Sequence, residues 1–369
     1  MNEEECIYSI ALTQVSGVGA VWAKNLLKAA ESAVSIFKDK EELFHLIQGI
    51  PAPIKKALDD PAAITRAEKE YKFILKNNIR CLTIKDEAYP FRLRECEDAP
   101  AVLFYKGTAD LNVPHVISMV GTRNATDYGI QICNRFLEEL QPLCPDVLIV
   151  SGLAYGIDIH AHRAAIANQL PTVGILAHGL DRIYPSVHRK TAVDMLECGG
   201  LLTEFLTETI PDKYNFVSRN RIVAGISDAT IVVESAKKGG SLITAEIAGG
   251  YQRECFAFPG RITDEYSQGC NRLIHDNKAT LIQSAEEFVQ VIGWNAQSQK
   301  AKNVQRKLFP DLSDDEKRIV SLLDKQGDMQ INQLVVSSDI SIQKINALLF
   351  ELEMKGVLRA LAGGMYRLL

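Results

Sequence analysis

The sequence predicts a three-part protein built on an α/β core. Short apolar runs that alternate with helical patterns fill residues 79–293 and specify a doubly wound, mostly parallel sheet. Residues 1–78 read as helical with no good strand, and residues 309–369 carry three helices and a β-hairpin behind a polar linker at 294–308.

Composition bounds the function. At 369 residues, with 47% hydrophobic and 24% charged positions, the chain suits two or three soluble globular domains. The N-terminus, MNEEEC, is acidic and no apolar h-region follows, so a secretory leader is not expected. No apolar run approaches the roughly 20 residues of a membrane helix. Eight scattered cysteines without a CxxC pair fit reduced thiols and a cytoplasmic location. Net charge is −5, so any nucleic-acid binding must come from a local basic patch.

Taken in order, the first informative stretch is Val15-Ser16-Gly17-Val18-Gly19, a tight turn between two helical runs, echoed at Ile47-Gln48-Gly49-Ile50-Pro51. Two such turns read as a helix-hairpin-helix/SAM-like unit, with Trp22 and Lys24 just beyond the first. A small helical packing domain is the alternative. Strands are then expected near 80–84, 102–105, 116–120, 147–150, 172–176, 201–203, 230–233, 255–257 and 280–282, with helices near 128–140, 157–168 and 242–252. Ligands on such a sheet bind outside the carboxyl ends of the strands. Gly121-Thr122-Arg123-Asn124, Ser151-Gly152-Leu153-Ala154-Tyr155-Gly156, His178-Gly179-Leu180-Asp181, Glu204 and Lys237-Lys238-Gly239-Gly240-Ser241 all follow predicted strands.

The last of these carries the most chemistry. A glycine pair between a strand and a helix lets backbone N–H groups approach an anion, and the helix N-terminus adds partial positive charge. Lys237 and Lys238 flank it, and Arg219 and Arg221 lie on the preceding helix. A βαβ turn with ordinary surface lysines is the alternative. Ser151–Gly156 lacks GxGxxG spacing, and no acid is placed for a ribose. His160 and His162 are two apart and point away from one another on a helix, which disfavours a metal site. Asp158 and His162 share a face and are expected to hydrogen bond. No nucleophile–base arrangement stands out.

In the tail, Ser313-Asp314-Asp315-Glu316 has the capping-box pattern ahead of Ile319, Val320, Leu322 and Leu323. Three helices and a hairpin around Ala362-Gly363-Gly364 make a winged-helix pattern. Its third helix offers only Gln343, Lys344 and Asn346 before turning acidic at Glu351 and Glu353, which favours protein contact or weak DNA contact over base reading.

These motifs together resemble the DprA (Smf) DNA-processing proteins of bacteria. The resemblance covers the whole chain in outline and is carried by GTRNATDYG at 121–129, SGLAYGIDIHAHRAA at 151–165 and HGLDRIYP at 178–185. It continues with FVSRNRIVAGIS at 216–227, VVESAKKGGSLITAEIA at 232–248, and the stretch from FAFPG to GCNRLI at 256–274. It implies an extended Rossmann-like sheet flanked by the helical and winged-helix domains. The function implied is a non-catalytic, cofactor-free homodimer that binds single-stranded DNA, protects it and loads the RecA recombinase during natural transformation. By motif, Arg123, Arg219, Arg221 and Lys238 would meet phosphates, Gly152 and Gly240 would let the backbone approach, and Lys237, Gly239 and Ser241 complete the implied single-stranded-DNA-binding set. Phe216 is the implied base-stacking residue, and Leu273 and Ile274 are the implied dimer contacts. The chain departs from the family pattern at Thr203, Val217, Ser218 and Gly239, which bears on affinity rather than fold. Two other readings use the same sheet edge: a nucleotide or phosphoribosyl hydrolase, and a nucleotide-sensing scaffold.

Overall fold

A computed structural model describes residues 2–30, 32–47, 49–294, 312–338, 340–361 and 364–368. Six helices come first: α1 (Glu3–Gln14), α2 (Ala20–Ala29), α3 (Ala33–Lys38), α4 (Lys40–Leu46), α5 (Ala52–Ala57) and α6 (Pro61–Lys76). The predicted turn between α1 and α2 holds Gly17 at φ +83°, where a Cβ would be strained. Gly49 repeats this at φ +86°, while Gln48 of that second turn lies outside the described residues.

The sheet follows: β1 (Arg80–Thr83), β2 (Val102–Gly107), β3 (Val116–Val120), β4 (Leu148–Ser151), β5 (Thr172–Ile175), β6 (Gly200–Thr203), β7 (Ala229–Val232), β8 (Glu254–Ala257) and β9 (Thr280–Leu281). Their order is β1-β2-β6-β5-β4-β3-β7-β8-β9. β1 and β2 pair antiparallel at one edge, and β6 through β9 are parallel. Every residue of β3, β4, β5, β6 and β7 is buried, as expected of strands covered on both faces. The short α7 (Phe91–Glu95) precedes β2. The crossovers use α8 (Asp127–Leu143), α9 (Ile157–Ala167), α10 (Arg189–Cys198), α11 (Lys213–Gly225), α12 (Gly240–Gly250) and α13 (Gln268–His275).

By packing, the chain divides into Met1–Glu286 and Glu287–Leu369. The break between α6 and β1 is therefore a change of secondary structure inside one compact unit. Buried contacts explain this. Glu70 of α6 accepts hydrogen bonds from Thr207 N (3.0 Å) and Thr207 Oγ1 (2.5 Å) beyond β6, and Arg66 donates to Thr207 O (2.7 Å). Lys24 donates to the carbonyls of Arg94 (2.8 Å) and Cys96 (2.7 Å), so this lysine ties α2 to the C-terminal end of α7.

The expected linker at 294–308 lies outside the described residues beyond Trp294. Before it comes α14 (Ala285–Ile292), and after it α15 (Asp314–Gln326), α16 (Ile331–Ser338) and α17 (Ile342–Met354). The capping box forms as predicted, with Glu316 N donating to Ser313 Oγ (3.3 Å) and Ser313 N to Glu316 Oε2 (2.8 Å). Strands β11 (Leu358–Leu361) and β12 (Met365–Leu368) make the hairpin; Ala362 and Gly363 at its tip lie outside the described residues. A third strand, β10 (Met329–Gln330), pairs with β12 and was not predicted, because two residues carry no periodicity. Ile319, Leu323, Leu334, Ile345, Leu349 and Leu352 form the core of this winged helix.

Candidate functional site at the carboxyl edge of the sheet

From β3 the chain steps through β4, β5 and β6 on one side, then returns to β7, β8 and β9 on the other. The order reverses between β3 and β7, and a crevice opens at such a point. Here it is filled from within. Glu234, two residues past β7 and 2% exposed, accepts hydrogen bonds from Thr126 N (3.0 Å) and Thr126 Oγ1 (2.5 Å) at the start of α8. Its carbonyl accepts from Thr122 N at 2.7 Å. A Cβ at Gly129 would stand 2.1 Å from Glu234 Oε2, so only glycine leaves room for the carboxylate. The N-terminus of α8, the usual phosphate seat of this fold, already holds an anion.

The N-terminus of α12 is built the opposite way. Gly239 is its N-cap and supplies no side-chain acceptor to the first turn. A Cβ there would come within 2.3 Å of Ser235 Oγ, so a side chain at 239 would need that hydroxyl to move aside. Ser241 is buried and turned inward, at 2.9 Å from Ser235 Oγ. Gly240 faces open space. Lys237 and Lys238 are exposed and form no ion pair among the described residues. Free amides, a helix dipole and two uncommitted ammonium groups make this an open anion seat.

Arg123, on the loop after β3, is also exposed, with its guanidinium 4.8 Å from the centre of the Phe216 ring. Arg219 and Arg221 are different. Arg219 is 4% exposed, donates to Ile175 O at 3.0 Å, and its charge faces buried Asp158. Its guanidinium lies against Gly152, where a Cβ would stand 1.5 Å from Nη1. Gly152 thus makes room for an arginine of the protein. Arg221 pairs with Glu204 and donates to Asp98 O at 2.5 Å. The structure offers neither arginine as a surface cation. Arg219 finds its acceptor on the last residue of β5 and Arg221 on Glu204 just past β6, which sequence spacing does not reveal. Leu273 belongs to the main core, and Ile274 is half-buried against it. Of these two, only Ile274 leaves part of its side chain exposed.

Two histidines take unanticipated partners. His162 does not bond to Asp158; its Nδ1 lies 2.6 Å from Thr172 Oγ1, which itself donates to Ile149 O (3.0 Å). Burial, with the nearby Arg219 charge, lowers the His162 pKa to about 3. Burial likewise lowers that of His178, which accepts from Tyr184 N at 3.2 Å through Nε2 and bonds Gly179 O through Nδ1 at 2.8 Å. This fixes the loop after β5 and the exposed Tyr184 on it, a residue that sequence reasoning quoted within HGLDRIYP without assigning it a role. Asp158 is raised by burial, against the pull of Arg219. Among the described residues, no group of three His, Cys, Asp or Glu side chains is placed to hold a metal.

Comparison with known proteins fixes the class. The family model described as DNA recombination-mediator protein A matches residues 80–293, and the DprA winged helix domain matches 307–364. The DNA processing protein DprA of Bacillus subtilis is 42% identical over 217 residues, covering 58% of this chain and 72% of that protein. Protein Smf of Escherichia coli is 33% identical over 294 residues, 79% and 78% of the two chains. The X-ray structure of Streptococcus pneumoniae DprA superposes with a TM-score of 0.66 at 31% identity, covering 77% of this chain and 97% of that one. The Helicobacter pylori DNA processing protein A, whose structure was described for its single-stranded DNA binding mode, gives 0.53 at 29% identity, covering 59% and 96%. The chain belongs to the DprA/Smf family, and its role lies in DNA processing.

Proposed function

We propose that this chain binds the backbone of single-stranded DNA at the carboxyl edge of its sheet, through Arg123, Lys237, Lys238 and the open N-terminus of α12. The carrying observation is the contrast between these exposed, unpaired cations and the internally paired Arg219 and Arg221. The single-stranded DNA binding described for the H. pylori relative supports the reading. In this proposal the protein is a cytoplasmic homodimer that acts without catalysis, shields incoming strands and hands them to a RecA-type recombinase during natural transformation. Phosphate contacts give affinity without sequence reading, as a mediator of arbitrary strands requires.

The test is fluorescence anisotropy of a labelled dT oligomer across a salt series, with wild type and Arg123→Ala/Lys238→Ala. Wild type should bind tightly, with log K falling by roughly 0.7 per phosphate contact for each decade of salt. The variant should bind weakly on a flatter slope. Failure of well-folded wild type to bind would remove the reading. Turnover of a nucleotide would then favour a hydrolase, and nucleotide binding without turnover a sensing scaffold.

A further inference from the structure

A cavity of about 370 Å³ opens between the N-terminal helices and the carboxyl edge of the sheet. Glu204, Ser218 and Arg221 give it a polar lining. Ser218 Oγ donates to Glu204 Oε1 at 3.4 Å, and Arg221 pairs with Oε2, so the acid and the base cancel. Burial raises the Glu204 pKa, against the pull of Arg221. The rest of the lining includes Ala20 of α2 on one side and Phe205 and Leu206, beyond β6, on the other. The cavity shares α11 with the single-strand site, since Ser218 stands two residues past Phe216, whose ring Arg123 approaches to 4.8 Å. Tyr214, Ser218 and Arg221 recur at i, i+4 and i+7 and therefore lie on one face of that helix. Tyr214 is 84% exposed, and Ile210 and Val217 near it in the chain are exposed as well. A phosphate does not suit this cavity, because it would meet a buried carboxylate. A flat ligand with apolar faces and a hydrogen-bonding edge does, and a nucleobase is such a ligand.

We infer that this cavity is a second base subsite, in which a nucleobase of the bound strand turns its edge to Glu204 and Ser218 while Tyr214 covers it at the rim. The inference rests on the single-strand reading above and extends it. The strand runs from Arg123 and Phe216 across the first turns of α11 to α2, so the N-terminal helices become part of the DNA-binding surface. Stacking on Phe216 is added to, not replaced. The Glu204 carboxylate has lone pairs beyond those used by Arg221 and Ser218, and these accept an N–H of the base edge.

The experiment compares wild type with Tyr214→Ala, Tyr214→Phe and Ala20→Leu, each checked for an unchanged melting temperature. Ala20→Leu fills the cavity from α2, far along the chain from α11 and its Phe216. The proteins are titrated against a dT oligomer and an abasic oligomer of equal length and charge. Tyr214→Ala and Ala20→Leu should each weaken dT binding roughly 5- to 150-fold, with the salt slope unchanged and abasic binding as in wild type. Tyr214→Phe should bind dT like wild type. Full dT affinity in either Tyr214→Ala or Ala20→Leu would overturn the inference while leaving the single-strand reading intact. So would an equal loss on the abasic strand, or a Phe variant as weak as the Ala variant. Should Ala20→Leu melt lower, the two Tyr214 variants, at an exposed position, still decide the outcome. Absence of dT binding by wild type would instead remove the underlying reading, and this inference with it.

Discussion

Helices α8 and α12 begin at equivalent places, each following a strand beside the point where the sheet order reverses. Yet one N-terminus is closed and the other open. Glu234 fills the first with the protein's own carboxylate, and Gly239 leaves the second without a side-chain acceptor, flanked by two exposed lysines. The lesson is that position in a doubly wound sheet makes an anion seat available without making it vacant. The internal carboxylate also argues against reading the crevice as a nucleotide site, because a phosphate there would meet a buried negative charge.

The comparison breaks most readily at its closed end. Glu234→Ala removes the buried acceptor of two hydrogen bonds from Thr126 and should cost about 3 kcal/mol of stability, seen as a melting temperature lower by roughly 5–10 °C. Affinity of the folded protein for dT should not change. Full stability in this variant would mean that the carboxylate does not hold α8. At the open end, Lys237→Ala/Lys238→Ala removes two charge-assisted contacts of about 1.5 kcal/mol each and should weaken dT binding roughly 100-fold at low salt. The magnitude of the salt slope should fall by about 1.4, twice the single-strand value. An unchanged slope would place the backbone elsewhere.

An effect confined to acid pH tests the buried region beneath β4 and β5. His162 titrates near pH 3 when folded and near its ordinary 6.5 when unfolded, so the unfolded chain binds more protons between those values. The stability gained from the neutral ring is fully present above pH 6.5 and is lost progressively as pH falls toward 3. Urea midpoints should decline over that window, and less steeply in His162→Gln. An equal decline in both would assign the acid sensitivity to other groups. The smallest effect lies in the winged helix, where Ser313→Ala removes the α15 cap and should cost about 1 kcal/mol. Thermal unfolding of the full chain, followed by a probe on residues 312–368, would register it, and an unchanged transition would show that the cap contributes nothing there.

The nine sheet strands, the turn at Gly17 and the capping box at Ser313 were legible in the sequence because each depends on neighbours only a few positions away. Alternating apolar runs dictate strands, a glycine marks a positive φ, and serine three residues before glutamate closes its own box. The exposed Lys237 and Lys238 were legible for the same reason, since a loop after a strand emerges at the sheet edge. Spacing could not distinguish Arg219 and Arg221 from those lysines, although the first is buried against Ile175 O and the second is paired with Glu204. Nor could it show that Gly152 makes room for Arg219 or that Glu234 occupies the N-terminus of α8. Those outcomes depend on groups up to about a hundred residues apart that the crossovers bring to one edge. The local pattern determined which elements form and where their ends emerge. Only the tertiary structure decided which charges are neutralised inside and which are left for a ligand, because a charge loses its solvent when it is buried and must find its partner wherever the fold provides one.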